Sequence, residues 1–411
     1  MKRYLRFGAS AGMLSLAPLL ISGATFISVP ILLGTLGTDL WVSIAIGQAI
    51  GEIARALVVW GWNSIGLTVV SPMEPAERLR YYFASLLPRF LVLIPVAIGC
   101  VVAAYAIPSE DPASAVRMAF VGAVYGLTGG WLLIANREPL LMVICDALPR
   151  AASILIASVM LLFIPSPDVY GWTNILGSVV AVAAVYTLAV RRSRAAGVTP
   201  GFGTFSAALA ALRHGLPIVG SGLVMVLRIS FAVLAAPFLA PAATEVIALG
   251  DKFFRWANTA MTPVLQTLLV RIPRMTGSPA HRAVRGLQVA WLGGLLVGAA
   301  SAAVIVPASS LISHGLIQLD VLTAIPIGIA VTMVFVAGVT GNSVLVMLGR
   351  VRQVFAAAVT ALIVLVATAA ILGPIFGSTG VFWAFAAAET TVVVYQTVAV
   401  FRELRRQREG I

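Results

Sequence analysis

The chain alternates long apolar runs with short polar breaks about twelve times over its 411 residues. A helix needs about 20 apolar residues to cross roughly 30 Å of hydrocarbon. The pattern predicts spans near 11–33, 40–70, 84–107, 116–135, 140–164 and 173–190, then 215–239, 246–270, 286–311, 321–348, 354–373 and 381–400. The second and tenth are long enough to tilt or to project from the bilayer. The longest polar interruption runs from Arg191 to Gly215 and passes through a Thr-Pro-Gly-Phe-Gly turn into the Ala-rich stretch Ser206–Arg213. It reads as a cytoplasmic linker with a short surface helix. The expected organisation is an N-terminal lobe 1–190, a linker 191–214, a C-terminal lobe 215–401 and a basic tail 402–411.

The loop charges sort by alternation. One set of loops and ends holds Lys2, Arg3, Arg6, Arg78, Arg80, Arg137, Arg191, Arg192, Arg194, Arg213, Arg271, Arg274, Arg282, Arg285, Arg350, Arg352, Arg402, Arg405, Arg406 and Arg408. The other set, around Gly34–Asp39, Pro108–Ser114, Pro165–Trp172, Ala240–Glu245, Ser313–Asp320 and Pro374–Gly380, holds no Lys or Arg. Cytoplasmic loops carry the excess of basic residues. An even span number follows, with both termini cytoplasmic. The fold class expected is an all-α polytopic membrane protein of about twelve transmembrane helices in two six-helix lobes.

Composition agrees. Hydrophobic residues make up 60% and charged residues 10% of the chain, where a soluble protein carries about a quarter charged. The net charge of +12 sits at span ends on one side, which fits retention and contact with anionic membrane lipids and argues against nucleic acid as a partner. Cys100 and Cys145 lie in apolar runs and read as packing residues. The basic start followed by the run Ala11–Leu33 is too long for a signal-peptide core and reads as a retained first span.

The halves share a local pattern. Gly51-Glu52 precedes Arg55, and Gly250-Asp251 precedes Lys252 and Arg255; each then runs to a cytoplasmic proline, Pro72 or Pro273. Prolines at Pro18, Pro30, Pro88, Pro95, Pro217, Pro237, Pro263 and Pro326 are candidates for kinks, and Gly122, Gly126 and Gly130 for close helix contact.

Charge inside the bilayer costs about 2.5–3.5 kcal/mol on insertion scales and marks the chemistry. Glu52–Arg55 are three apart, and Asp146–Arg150 and Asp251–Arg255 four apart, so each acid shares a helix face with a base. Two readings stay open: neutral pairs that ease insertion, or groups lining a wet cavity. Arg228 has no acid nearby in sequence and is the candidate for an anionic substrate. Glu389, in the last span, either pairs with an arginine or carries a coupling Na+ or proton. Arg89 and Arg117 lie near span ends, where they can snorkel. The acids Asp39, Glu110, Asp111, Asp168, Glu245 and Asp320 lie in the outer loops and read as tolerated there. No GxxxxGK[ST] phosphate loop is present, and His214, His281 and His314 form no metal spacing. The short outer loops leave no room for an extracytoplasmic catalytic domain, so no enzyme is expected, and no resident cofactor or metal.

Three stretches carry a family likeness: Gly47-Gln48…Glu52…Gly61-Trp62-Asn63-Ser64-Ile-Gly66 through Pro75-Ala-Glu77-Arg78 to Leu87-Pro88-Arg89; Trp131…Glu138-Pro139…Asp146-Ala-Leu-Pro149-Arg150; and Ala248-Leu-Gly-Asp251-Lys252-Phe253…Thr262-Pro263-Val264…Arg271-Ile-Pro273-Arg274. They resemble the Wzx-like polysaccharide flippases of the multidrug/oligosaccharidyl-lipid/polysaccharide exporter superfamily. The resemblance implies two rocking lobes around an arginine-lined central cavity in the bacterial cytoplasmic membrane. It implies a monomer whose cargo is an undecaprenyl-pyrophosphate-linked oligosaccharide, working beside polysaccharide polymerase and other assembly proteins. Arg55, Arg228, Arg255 and Lys252 would then meet the pyrophosphate, with Glu52, Asp146, Arg150, Asp251 and Glu389 as charge partners or coupling groups. The alternatives are a cation-coupled multidrug exporter of the same superfamily, or a membrane polysaccharide polymerase or ligase.

Overall fold

The computed structural model describes the backbone of residues 2–63 and 69–409, and the side chains of these except 2–14, 270, 279, 351 and 407–409. The side chains of the expected inner charges Lys2, Arg3, Arg6 and Arg408, and the whole Ser64–Gly66 part of the Gly-Trp motif, lie outside the described residues. The elements are α1 (Lys2–Val59), α2 (Pro75–Ala84), α3 (Leu86–Ala106), α4 (Pro112–Tyr125), α5 (Gly130–Ala135), α6 (Pro139–Met142), α7 (Leu148–Leu161), α8 (Pro167–Ala195), α9 (Phe205–Leu239), α10 (Thr244–Arg271), α11 (Pro279–Ile312), α12 (Val321–Val339) and α13 (Val351–Glu409). Single π-helical turns at Val143–Ala147 and Thr340–Leu345 lead into α7 and out of α12.

Among the described residues, nine segments are long and apolar enough to cross a membrane. The expected twelve are recovered by adding two facts. Helices α1 and α13 each contain two spans, joined at Gly37 (φ 80°) and Gly377 (φ 59°). Helix α10 is the remaining span, and Glu245, Asp251, Lys252 and Arg255 make it less apolar than the others. The two sharp reversals fall at glycine because only glycine takes left-handed backbone without steric cost. The prolines Pro18, Pro30, Pro95, Pro263 and Pro326 are carried within helices. Between Arg191 and Gly215 the non-helical chain is shorter than expected: α8 continues to Ala195, and the Ala-rich stretch is the first part of the unbroken α9. Nothing separates that apolar stretch from the span after it: the helix runs on through Pro217.

The chain divides into two compact units, residues 1–230 and 231–411, with the division inside α9. In unit 1 the second half of α1 packs on α4 through small residues. A Cβ on Gly122 would overlap the Gly51 carbonyl, and one on Gly47 or Gly51 would strike the backbone of Ala115 or Met118. Small residues let helix backbones approach in an apolar medium, where no hydrophobic force drives the association. An aromatic core of Trp62, Tyr82, Phe83 and Trp131 closes one end of the unit. In unit 2, Phe254 of α10 meets Phe385 of α13 edge-on at 4.8 Å. A second cluster there joins Ala283 and Leu287 to Val344, Leu345, Val400 and Leu404.

Loop charges hold the ends of helices. Arg78 donates to the carbonyls of Met73, Ser71 and Ala135, and Arg192 pairs with Glu138 at 2.6 Å. Two outer-loop acids are more than tolerated: Arg117 pairs with Asp111 and with Asp168, and Asp111 also accepts from the Ser114 amide as a helix cap.

Candidate functional site

The α1–α4 contact brings the charged turn Glu52–Arg55 beside the end of α4. Arg55 donates through Nε (3.1 Å) and Nη2 (2.7 Å) to one oxygen of Glu52. The pair is about one-third exposed on each side. Its guanidinium carbon stands 5.9 Å from the centre of the Tyr125 ring.

Tyr125 ends α4, and the chain breaks over Gly126–Gly129 before α5 begins. Arg89 makes this break tolerable. Its guanidinium donates to the Leu127 carbonyl at 3.0 Å and the Thr128 carbonyl at 2.8 Å, and it binds Ser85 through the carbonyl and the hydroxyl. These are helix-end carbonyls that would otherwise lie buried without donors. Arg89 is wholly buried. The expectation that it snorkels to the bilayer surface is therefore corrected: its fork is used up inside unit 1. Arg117, by contrast, does anchor a span end, through its pairs with Asp111 and Asp168.

The break aims two hydroxyls at Asp146 in the π-turn. Tyr125 Oη donates to Oδ2 at 2.8 Å and Thr128 Oγ1 to Oδ1 at 2.5 Å. Asp146 is buried, with Gly130 against its carboxyl group. The expected pairing of Asp146 with Arg150 does not form. Residues four apart share a face of a regular α-helix, but the π-turn adds a residue and offsets them. Arg150 instead lies flat over Tyr125, its guanidinium carbon 3.4 Å from the ring centre. That distance is well inside the cation–π range. Among the described residues Arg150 has no carboxylate within salt-bridge distance. Unit 1 thus holds, inside spans, two guanidinium groups on one aromatic ring, with one acid on Arg55 and the second acid held by neutral hydroxyls. Arg228, also in unit 1, is buried and engaged by neighbours.

In unit 2 the repeated pattern has its own geometry. Asp251 Oδ2 accepts from Arg255 Nε at 2.6 Å, with Asp251 buried and Arg255 partly open. Gly250, just before the acid, packs on the Phe382 ring. Lys252 is half-buried, Glu389 is buried on the second half of α13, and both are engaged by neighbours. No cluster of three His, Cys, Asp or Glu side chains suited to a metal occurs among the described residues.

The charged members of the site were legible as charges in apolar runs. Tyr125, Thr128 and the Gly47–Gly51 face were missed. A hydroxyl in an apolar run is unremarkable; the close α1–α4 contact was expected from the Gly122 side, and the spacing of Gly47 and Gly51 is the matching signal on α1.

No family model matches the chain, and no curated protein matches it. Solved structures do. An inward-facing multidrug resistance MATE family transporter of the MOP superfamily aligns with a TM-score of 0.65 and 16% identity, over 95% of this chain and 98% of the other. The MATE transporter VcmN of Vibrio cholerae, as a mutant, gives 0.60 and 15% over 98% and 97%. The lipid II flippase MurJ in an inward closed conformation gives 0.62 and 12% over 93% and 87%. The chain is a multi-pass membrane protein with the twelve-helix fold of MATE transporters.

Proposed function

We propose that the chain is a flippase, moving an undecaprenyl-pyrophosphate-linked oligosaccharide from the inner to the outer leaflet of a bacterial cytoplasmic membrane by alternating access. The observation that carries the reading is the second guanidinium on Tyr125, which touches no carboxylate. Arg150 lies roughly 15 Å along its helical segment from the start of that span at Pro139, has no carboxylate within salt-bridge distance, and is half-buried on an aromatic face. A diphosphate is the group such a site favours, because guanidinium forks bind phosphate oxygens bidentately. Arg55 stands within reach of the same ring. Arg228, Arg255 and Lys252 are further cations for the headgroup along its route, and Asp251 and Glu389 are the acids available for coupling to Na+ or a proton. Polymerase and other assembly proteins would receive the cargo on the far side.

The second reading is a cation-coupled multidrug exporter. One of the structural neighbours is described as a multidrug resistance transporter, and the buried acids Asp146 and Asp251 are groups a cationic drug could meet. Proteoliposomes decide between them. The flippase reading expects transbilayer movement of a fluorescent undecaprenyl-pyrophosphate saccharide, lost in Arg150→Gln and partly kept in Arg150→Lys. The exporter reading expects extrusion of a cationic dye that survives Arg150→Gln. Dye transport without lipid movement would overturn the proposal.

A further inference from the structure

Unit 2 carries a second basic feature, distinct from the charged turns inside its spans. A cleft of about 530 Å³ lies along the last turns of α13 and the residues that precede and begin that helix. Arg350, Arg402 and Arg406 stand at one end with Gln353 and Glu403; Val394, Tyr395 and Val398 continue it toward Thr390 and Thr391. Glu403 accepts from Arg350 Nε at 2.8 Å and pairs with Nη2 at 2.6 Å. The lining thus carries three guanidinium groups and one carboxylate, and that carboxylate pairs with Arg350. Arg402 and Arg406 are exposed and make no ion pair or hydrogen bond among the described residues. The apolar part is open as well: Val394 is 56% and Val398 42% exposed. The hydroxyls of Thr390 and Thr391 turn back to the Ala386 and Ala387 carbonyls, so the far end of the cleft presents no free donor.

A cationic mouth continuous with an open apolar wall fits an amphiphile with an anionic head. The alternation of loop charge puts Arg350, Arg402 and Arg406 at the cytoplasmic surface, and the valines follow one to two turns deeper. The volume is in the range of small-molecule sites. We infer that this cleft binds the phosphate of an anionic phospholipid of the inner leaflet, with Arg402 and Arg406 on the phosphate and an acyl chain along Val394 and Val398. Occupancy would brace the Arg350–Glu403 pair and so tie the end of α13 to its beginning. The site stands whether or not the cargo is a glycolipid.

Native mass spectrometry of the full chain in detergent tests this, with phosphatidylglycerol, phosphatidylcholine and undecaprenyl phosphate added in separate arms. Each basic residue near such a surface contributes about 1 kcal/mol. The double variant Arg402→Gln/Arg406→Gln should therefore hold its tightest phosphatidylglycerol about tenfold or more weakly than the native chain. A control pair, Arg271→Gln/Arg285→Gln, removes two basic residues of the same inner set outside the cleft and should leave that binding unchanged. Equal retention of phosphatidylglycerol and phosphatidylcholine overturns the inference. So does unchanged binding in the first double variant, or an equal loss in the control. Displacement of phosphatidylglycerol by stoichiometric undecaprenyl phosphate overturns the assignment to a bulk phospholipid.

Discussion

Glu52–Arg55 in unit 1 and Asp251–Arg255 in unit 2 share a sequence pattern and differ in what surrounds them. In unit 1 the acid is about as open as the base, and a tyrosine ring brings alongside a second guanidinium that touches no carboxylate. In unit 2 the acid is buried and its arginine is the open partner. One local motif thus supports two electrostatic settings: a pair open to water beside a second guanidinium, and a pair whose buried carboxylate depends on its base. The glycine before each acid differs in the same sense. Gly51 meets the backbone of a neighbouring helix and Gly250 the edge of an aromatic ring.

That contrast can be broken by mutation. The largest stability effect is expected at the helix contact. Gly122→Ala drives a methyl group into the Gly51 backbone, which cannot turn aside, and should cost about 3 kcal/mol. Gly250→Ala meets the Phe382 ring, which can rotate, and should cost about 1 kcal/mol. Thermal unfolding of the two variants in detergent reads the difference; equal losses would mean that the two contacts are equivalent. A smaller contrast is expected at the acids. Asp251→Asn removes the charge from a buried carboxylate facing Arg255 and should cost about 2 kcal/mol. Glu52→Gln acts on a half-open pair screened by water and should cost under about 1 kcal/mol. Reversal of that order would show that exposure does not separate the pairs.

Much of the scaffold could be read before any coordinates. Span positions follow from hydropathy alone, and the acids and arginines inside them were conspicuous because each is costly there. What escaped notice depends on geometry that no residue announces. The π-turn at Val143–Ala147 shifts Asp146 away from Arg150, so spacing by four misassigned that pair. Thr128 reaches Asp146 because α4 breaks at Gly126–Gly129, and that break is held by Arg89 from another helix. The reversals at Gly37 and Gly377, by contrast, fall inside the outer loops read at Gly34–Asp39 and Pro374–Gly380, and Pro18, Pro30, Pro95, Pro263 and Pro326 lie within helices.

The central claim is that Arg150 presents on the Tyr125 ring a guanidinium with no carboxylate in contact, ready for a phosphate group. Calorimetric titration of inorganic pyrophosphate into the purified full chain measures it directly. The native protein should bind, and Arg150→Gln should bind about ten- to a hundredfold more weakly, the loss of one charge-assisted contact. Pyrophosphate binding of equal affinity in the native protein and in Arg150→Gln would contradict the account.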